Sequence, residues 1–370
     1  MSQKTLQNYI PALTGVRALA AYLVFISHYY NVFDDVFPHI VQRFLGELHI
    51  GVSIFFVLSG FLITFRYYNK FHLTADWFKQ YLKNRVARIY PMYALLTIGA
   101  FVYYFITRDE SITRGYQNPL CLLVLNLTFI RGFFYRFWDT GIAQGWSLTV
   151  EECFYLLAPL IFILIKRSRL NLLLLPVIFL TIGLALVQVC KGINFYGLMA
   201  SNSFMYVFTF FGTAFEFFVG IGLALYFKKH SASVKNGYRT YGGIIIIAIC
   251  TYLISVIRMN NNFGMQIPLL EITNNVLLPL VGISLFYYGL LTEQTVVSKL
   301  LSSKLFLLLG KSSYVFYLIQ AGIIELFFSR FTHNHMLVFL PLVIVSILIY
   351  RFLEEPMNLY IRKRFTSNKK

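Results

Sequence analysis

Arg17 and His28 stand eleven residues apart in the apolar stretch 10–31. On a helix that spacing falls within about 20° of three whole turns and puts His28 about 16 Å further along the same face. A mid-bilayer charge costs roughly 2.5–3.5 kcal/mol on insertion scales, so each such residue is a candidate for chemistry. Singly, Arg17 reads as a snorkelling anchor and His28 as a hydrogen-bonded packing residue. Sharing a face, they would line one cavity, and the pair is more telling than either member alone. A third group is Glu151, with Glu152, in 145-GWSLTVEECFYLLAPL-160. A carboxylate beside an imidazole orients it and stabilises its cation, as in hydrolytic triads. The blander reading is an acid at a helix N-terminus. Adjacent residues on a helix point about 100° apart, so at most one of the two carboxylates faces a given cavity squarely. Arg85 and Arg88, at i and i+3, share a helical face and form a fork for phosphate. Topology alone also accounts for cations there. Trp146 suits an interfacial position, Ser59 and Gly60 are small enough for close helix approach, and Glu216 is a mid-span carboxylate with no evident partner. Ser59, Trp146 and Glu216 are carried as candidate pocket residues.

The elements holding these residues are membrane-spanning. Hydrophobic residues make up 58% of the 370, and charged residues only 13%. Soluble domains carry about 25% charged residues. Apolar runs long enough to cross a bilayer recur at 10–31, 48–65, 89–107, 147–165, 170–190, 205–227, 240–257, 269–291, 305–328 and 336–353. The expected fold is therefore all-α integral membrane, with about ten transmembrane helices in one domain over 1–370. The first run lacks a cleavage site and reads as a retained helix. The stretch 119–131 is too short to cross and is expected to be re-entrant or interfacial.

A net charge of +17 suggests nucleic acid until the cations are placed. Twenty-two of the 32 Lys and Arg fall in alternate loops on one side and eight on the other, with Arg17 and Lys311 inside helices. That asymmetry marks the cytoplasmic side, and both termini are expected there. No nucleic-acid partner is expected. Cys121, Cys153, Cys190 and Cys250 lack CxxC spacing, so neither a metal nor a disulfide is expected.

Together the motifs resemble the membrane acyltransferase-3 family, the bacterial O-acyltransferases of surface polysaccharide, peptidoglycan and lipid. Arg17 and His28 match an Arg/Lys-x10-His pair; Phe55 to Ile63 match an FFVLSGFLI segment; Arg85, Arg88, Ile89, Tyr90 and Pro91 match R-x-x-R-I-Y-P. Trp146, Ser147, Leu148, Glu151, Phe154 and Tyr155 match W-S-L-x-x-E-x-x-F-Y, 309-LGKSSYVFYLIQ-320 resembles LGxxSYxxYLxH, and Glu354 with Pro356 matches E-x-P. Gln320 departs from the pattern, standing where relatives often carry His. The sequence also ends without the extra periplasmic esterase-like domain of many relatives, so a stand-alone form is expected, transferring directly or through a separate extracytoplasmic partner.

The resemblance implies a multi-pass protein of the bacterial cytoplasmic (inner) membrane. It implies acyl-CoA, chiefly acetyl-CoA, as donor, and a hydroxyl of a surface glycan, glycolipid or lipid as acceptor. The cytoplasmic Arg85 and Arg88 would hold CoA phosphates while its pantetheine arm threads between helices to His28. His28 would act as general base or as a transient acyl carrier, with Glu151 orienting it and Arg17 stabilising charge along the pore. A flippase or other glycolipid transporter is the alternative, since intramembrane Arg, His and Glu also mark proton pathways. No internal repeat supports it. A non-catalytic relative is a further alternative, prompted by Gln320.

Overall fold

The computed structural model describes residues 10–33, 36–193, 195–230, 232, 234–259, 268–332 and 334–367. Both chain termini, on which the orientation expectation partly rests, lie outside the described residues. Helices run in the order α1 Pro11–His28, α2 His39–Gly46, α3 Gly51–Tyr67, α4 Ala75–Thr107, α5 Pro119–Leu127, α6 Gly145–Arg167, α7 Asn171–Cys190, α8 Asn202–Phe208 and α9 Phe210–Lys229. They continue as α10 Tyr238–Met259, α11 Pro268–Ile272, α12 Ser284–Thr292, α13 Val296–Leu301, α14 Lys304–Ile319, α15 Ile323–Ser329, α16 His335–Ile349 and α17 Glu355–Ser367. No β-strand occurs among the described residues, only the isolated bridges Phe134–Leu198 and Val234–Glu293. Among the described residues, nine helices or helix runs are long and apolar enough to cross a bilayer, and the bent pair α14–α15 makes a tenth if taken as one span. The all-α membrane architecture of about ten spans is thus as expected.

Two expectations about the spans need correction. The run 305–328 is not one straight helix: α14 and α15 meet at a bend of 82° around Gln320–Gly322. Arg85 and Arg88 do not lie in a loop. α4 starts at Ala75, where the Thr74 side chain accepts from Trp77 N at 3.2 Å, and the connecting loop shrinks accordingly. The charged first third of α4 lowers hydropathy but not helix propensity, which is why an apolar window starts too late. Pro91, inside α4, has no N–H for the Ala87 carbonyl one turn before it. Residues 119–131 hold only the nine-residue α5 and the start of a short 3-10 turn, Ile130–Phe133, too short to span as expected.

The chain divides into two compact units, each drawn from separate stretches. The first comprises 1–70, 164–181 and 211–313; the second comprises 71–163, 182–210 and 314–370. In the first unit α3 and α9 touch backbone to backbone. A Cβ on Gly60 would fall 2.1 Å from the Phe217 carbonyl oxygen, and one on Gly220 would fall 2.1 Å from that of Val57. Only glycine permits this approach at both contacts. Phe56 stacks on Phe217 beside them at 4.9 Å. In the same unit Glu293 accepts from Arg239 N and Thr240 N at 3.0 and 2.9 Å, satisfying amides of the first turn of α10. In the second unit, the segment between α4 and α6 is tied to the segment between α7 and α8 by Tyr135 N to Gly197 O at 2.9 Å.

Candidate functional site

In the first unit, α1 carries both Arg17 and His28, as its uninterrupted helical pattern demands. Proline at its first position removes an amide that would lack a partner there. Arg17 is half-buried, and its Nε has no hydrogen-bond partner. His28 is the last helical residue, exposed, with its ring edge-on to Tyr29 at 6.3 Å.

Groups that sequence reading missed gather near His28. A 3-10 turn, Glu47–Ile50, packs along α1, and His49 lies within electrostatic reach of His28. Glu47 Oε1 accepts from Arg258 Nε at 2.6 Å, while Glu47 Oε2 lies 3.6 Å from His49 Nδ1. His49 Nδ1 also lies 3.3 Å from the Gly46 carbonyl. The arrangement is a carboxylate held by an arginine and set beside one of two neighbouring imidazoles. The local sequence 47-ELHIGV-52 carries no such signal; only contact with α10 reveals it.

Glu216 does have a partner. Ser53 Oγ donates to its Oε1 at 3.1 Å, whereas Oε2 has none although the residue is 1% exposed. Ser59, half-buried one residue from the Gly60 contact, lies in this unit as well.

The second unit holds Arg85, Arg88, Trp146 and Glu151. Arg85 is 4% exposed, with its guanidinium 5.8 Å from the centre of the Tyr155 ring, a cation–π distance. Arg88 is half-buried and within electrostatic reach of Glu354, the last residue of a π-helical turn Tyr350–Glu354. Short π-helical segments are rare and collect at functional sites. Glu151 Oε2 accepts from Tyr155 OH at 3.0 Å, while Glu152 lies within electrostatic reach of Arg85. Both neighbouring carboxylates thus stand by the Arg85–Tyr155 pair, Glu151 bonded to the phenol and Glu152 within reach of the guanidinium. Tyr314 OH donates to Ile89 O at 2.8 Å, beside the Pro91 interruption, and Tyr317 OH pairs with Ser147 Oγ at 2.9 Å. These tyrosines belong to the LGKSSYVFYLIQ motif, so three sequence motifs meet in one polar cluster. Trp146 meets Phe208 edge-on at 4.9 Å, a packing contact more than a solvent-facing one. Gln320 is fully buried at the α14–α15 bend.

Glu325 belongs to none of the sequence motifs. It is buried, with Oε1 2.9 Å from His335 Nδ1, and Ser329 Oγ donates to the same oxygen. Ser329 and Glu325 both meet Nδ1, which is not the two-nitrogen relay of a hydrolytic triad. The cluster ties α15 to the start of α16.

Comparison with known proteins fits this pattern of motifs. Residues 10–351 match the family model described as an acyltransferase domain. O-acetyltransferase OatA of Staphylococcus aureus (strain NCTC 8325 / PS 47) is 25% identical over 369 residues, covering 95% of this chain and 57% of the relative. Putative O-acetyltransferase SACOL0978 of Staphylococcus aureus (strain COL) is 24% identical over 378 residues, covering 95% of this chain and 58% of the relative. The chain thus spans little more than half the length of these curated relatives. No solved structure matches it. With a match that takes in every motif from Arg17 to Gln320 and stops just short of Glu354 and Pro356, the chain belongs to the acyltransferase-3 family of multi-pass membrane proteins.

Proposed function

We propose that this protein transfers an acyl group, acetyl by analogy with the named relatives, from acyl-CoA to a hydroxyl of a glycan, glycolipid or lipid. Donor uptake is placed on the cytoplasmic side and acceptor modification outside, in the inner membrane of a bacterium. In the reaction the acceptor oxygen bonds to the acyl carbon and the carbon–sulfur bond breaks. The hydroxyl proton passes to His28 and then to the departing thiolate. A relay through an acyl-histidine has the same balance. No metal is invoked.

The observation that carries this reading is His28 itself, an exposed imidazole ending a membrane helix, with His49 near it and Glu47 beside His49. Arg17, on the same helix, is assigned to charge stabilisation, and Glu151 to the catalytic carboxylate. For the CoA phosphates, half-buried Arg88 offers the more accessible guanidinium. Arg85, packed over Tyr155, supports the site from within. Trp146, Ser59 and Glu216 remain assigned to the surroundings of the substrate. A separate extracytoplasmic partner that receives the acyl group is compatible with this scheme.

The test is release of free thiol from acetyl-CoA by the detergent-purified full chain, with and without cell-envelope glycan or lipid fractions. Thiol release accompanied by acetylated acceptor is expected. No release with any fraction would overturn the proposal. One feature favours a transporter instead: the broken α14–α15 pair resembles the discontinuous helices of transport sites. Glycolipid movement across proteoliposomes without thiol release would establish that alternative.

A further inference from the structure

The start of α6 gathers positive charge that the surrounding protein leaves uncompensated. Arg131 is fully buried, and its guanidinium donates to the carbonyls of Thr140 and Ile142. It lies directly on the first residue of the helix, since a Cβ on Gly145 would fall 2.2 Å from Arg131 Nη2. A cation there adds to the positive end of the helix dipole instead of opposing it. Carbonyls satisfy the guanidinium's hydrogen bonds but not its net charge. The Tyr93 hydroxyl, a neutral group, is within hydrogen-bonding reach, and Asp139 is within electrostatic reach, yet the Asp139 Oδ2 already pairs with Arg114 Nε at 2.9 Å. Arg131 Nε has no hydrogen-bond partner.

Gln144 supplies the second, independent observation. It immediately precedes α6, is 3% exposed, and neither Oε1 nor Nε2 has a hydrogen-bond partner. Leaving a buried amide unbonded is unfavourable, so such groups usually serve something. An unbonded amide donor and an unbonded guanidinium donor thus lie buried at the start of one helix, where Arg131 sits against Gly145 and Gln144 precedes it. Their common complement is an oxygen bearing negative charge.

We propose that the Arg131–Gln144 pocket at the start of α6 binds an anionic oxygen ligand, a carboxylate or a phosphate. The assignment is independent of the acyl-transfer reading, because it rests on charge and burial alone. The pocket is separate from the Arg85–Arg88 face of α4, whose cations already have Tyr155, Glu152 and Glu354 as neighbours.

Thermal unfolding of the detergent-purified full chain tests this, with sodium acetate or inorganic phosphate titrated against chloride at equal ionic strength. A saturable rise of about 2–4 °C in the midpoint is expected with at least one of the two anions. A response to acetate alone identifies a carboxylate ligand, and a response to phosphate alone a phosphoryl ligand. Gln144→Leu should reduce the response to the chloride baseline. Gln144→Glu should fill the pocket from within, raising the ligand-free midpoint and abolishing the response. The proposal fails if wild type responds no more to either anion than to chloride. It also fails if Gln144→Leu responds as fully as wild type, or if Gln144→Glu unfolds below wild type.

Discussion

Glu47 and Arg258, 211 residues apart in the chain, meet Oε1 to Nε at 2.6 Å. The carboxylate is buried, while the arginine side chain is 35% exposed, so solvent screens part of the attraction. Removing the charge from one side leaves the other poorly compensated.

Glu47→Gln should therefore destabilise the protein by about 1–3 kcal/mol, between the ranges for exposed and buried pairs. Thermal unfolding of detergent-purified variants measures this. Arg258→Lys should recover part of the loss, because a point charge can replace the single Nε contact but not the planar fork. Unchanged stability in Glu47→Gln would mean that the contact does not stabilise the fold.

His28→Ala should abolish acyl transfer while abundance and unfolding midpoint stay near wild type, since the side chain is exposed. General-base assistance is worth about 10²–10⁴-fold, so a twofold loss is too small to fit. If His28 only packs, His28→Gln should retain activity and His28→Ala should lose folded protein.

Arg88→Ala should raise the KM for acyl-CoA with little change in stability, as expected for one charge-assisted bond of about 1.5–3 kcal/mol. Arg85→Ala should instead lower stability, because it empties the space over Tyr155. Steady-state kinetics together with unfolding midpoints separates the two effects. Full activity and stability in the double Arg→Lys variant would reduce both residues to topological anchors.

Orientation is open to direct measurement. Lys79→Cys should be protected from an impermeant thiol reagent in intact cells, and Arg136→Cys should be labelled, in a background without native cysteines. Both positions are exposed. The reverse pattern would invert the topology and remove the argument for a cytoplasmic donor.

Ser53→Ala deletes the one hydrogen bond to Glu216 and should cost about 1–3 kcal/mol. Glu216→Gln keeps the acceptor oxygen and should be tolerated better than Ser53→Ala. Equal losses in both variants would show that the carboxyl group itself matters, beyond the bond from Ser53.

What the sequence disclosed follows from how local the interactions are. Arg17 and His28 share a helix, so their spacing alone sets their relation. Ser59 and Gly60 announce a close contact by size, although not that Phe217 supplies the other side. The Glu47–Arg258 pair and the Arg131–Gly145 contact depend on which elements pack together, information that no local pattern carries. The bend at Gln320–Gly322 escaped notice because both flanking segments are apolar and a hydropathy window averages across it. The extension of α4 was missed for the opposite reason: its charges depress hydropathy in residues that are good helix formers.

The interleaving of the two units has a consequence for biogenesis. Neither unit can be completed from one continuous length of emerging chain, because the first needs residues up to 313 and the second needs residues beyond 314. Arg88 is synthesised 266 residues before Glu354, which at about 5–20 residues per second is a delay of roughly 13–53 s. Through that interval the Arg88 guanidinium must be accommodated by water, lipid headgroups or the insertion machinery. The last helices to emerge therefore decide whether the polar cluster closes, and truncations near the C-terminus should be read first as assembly defects.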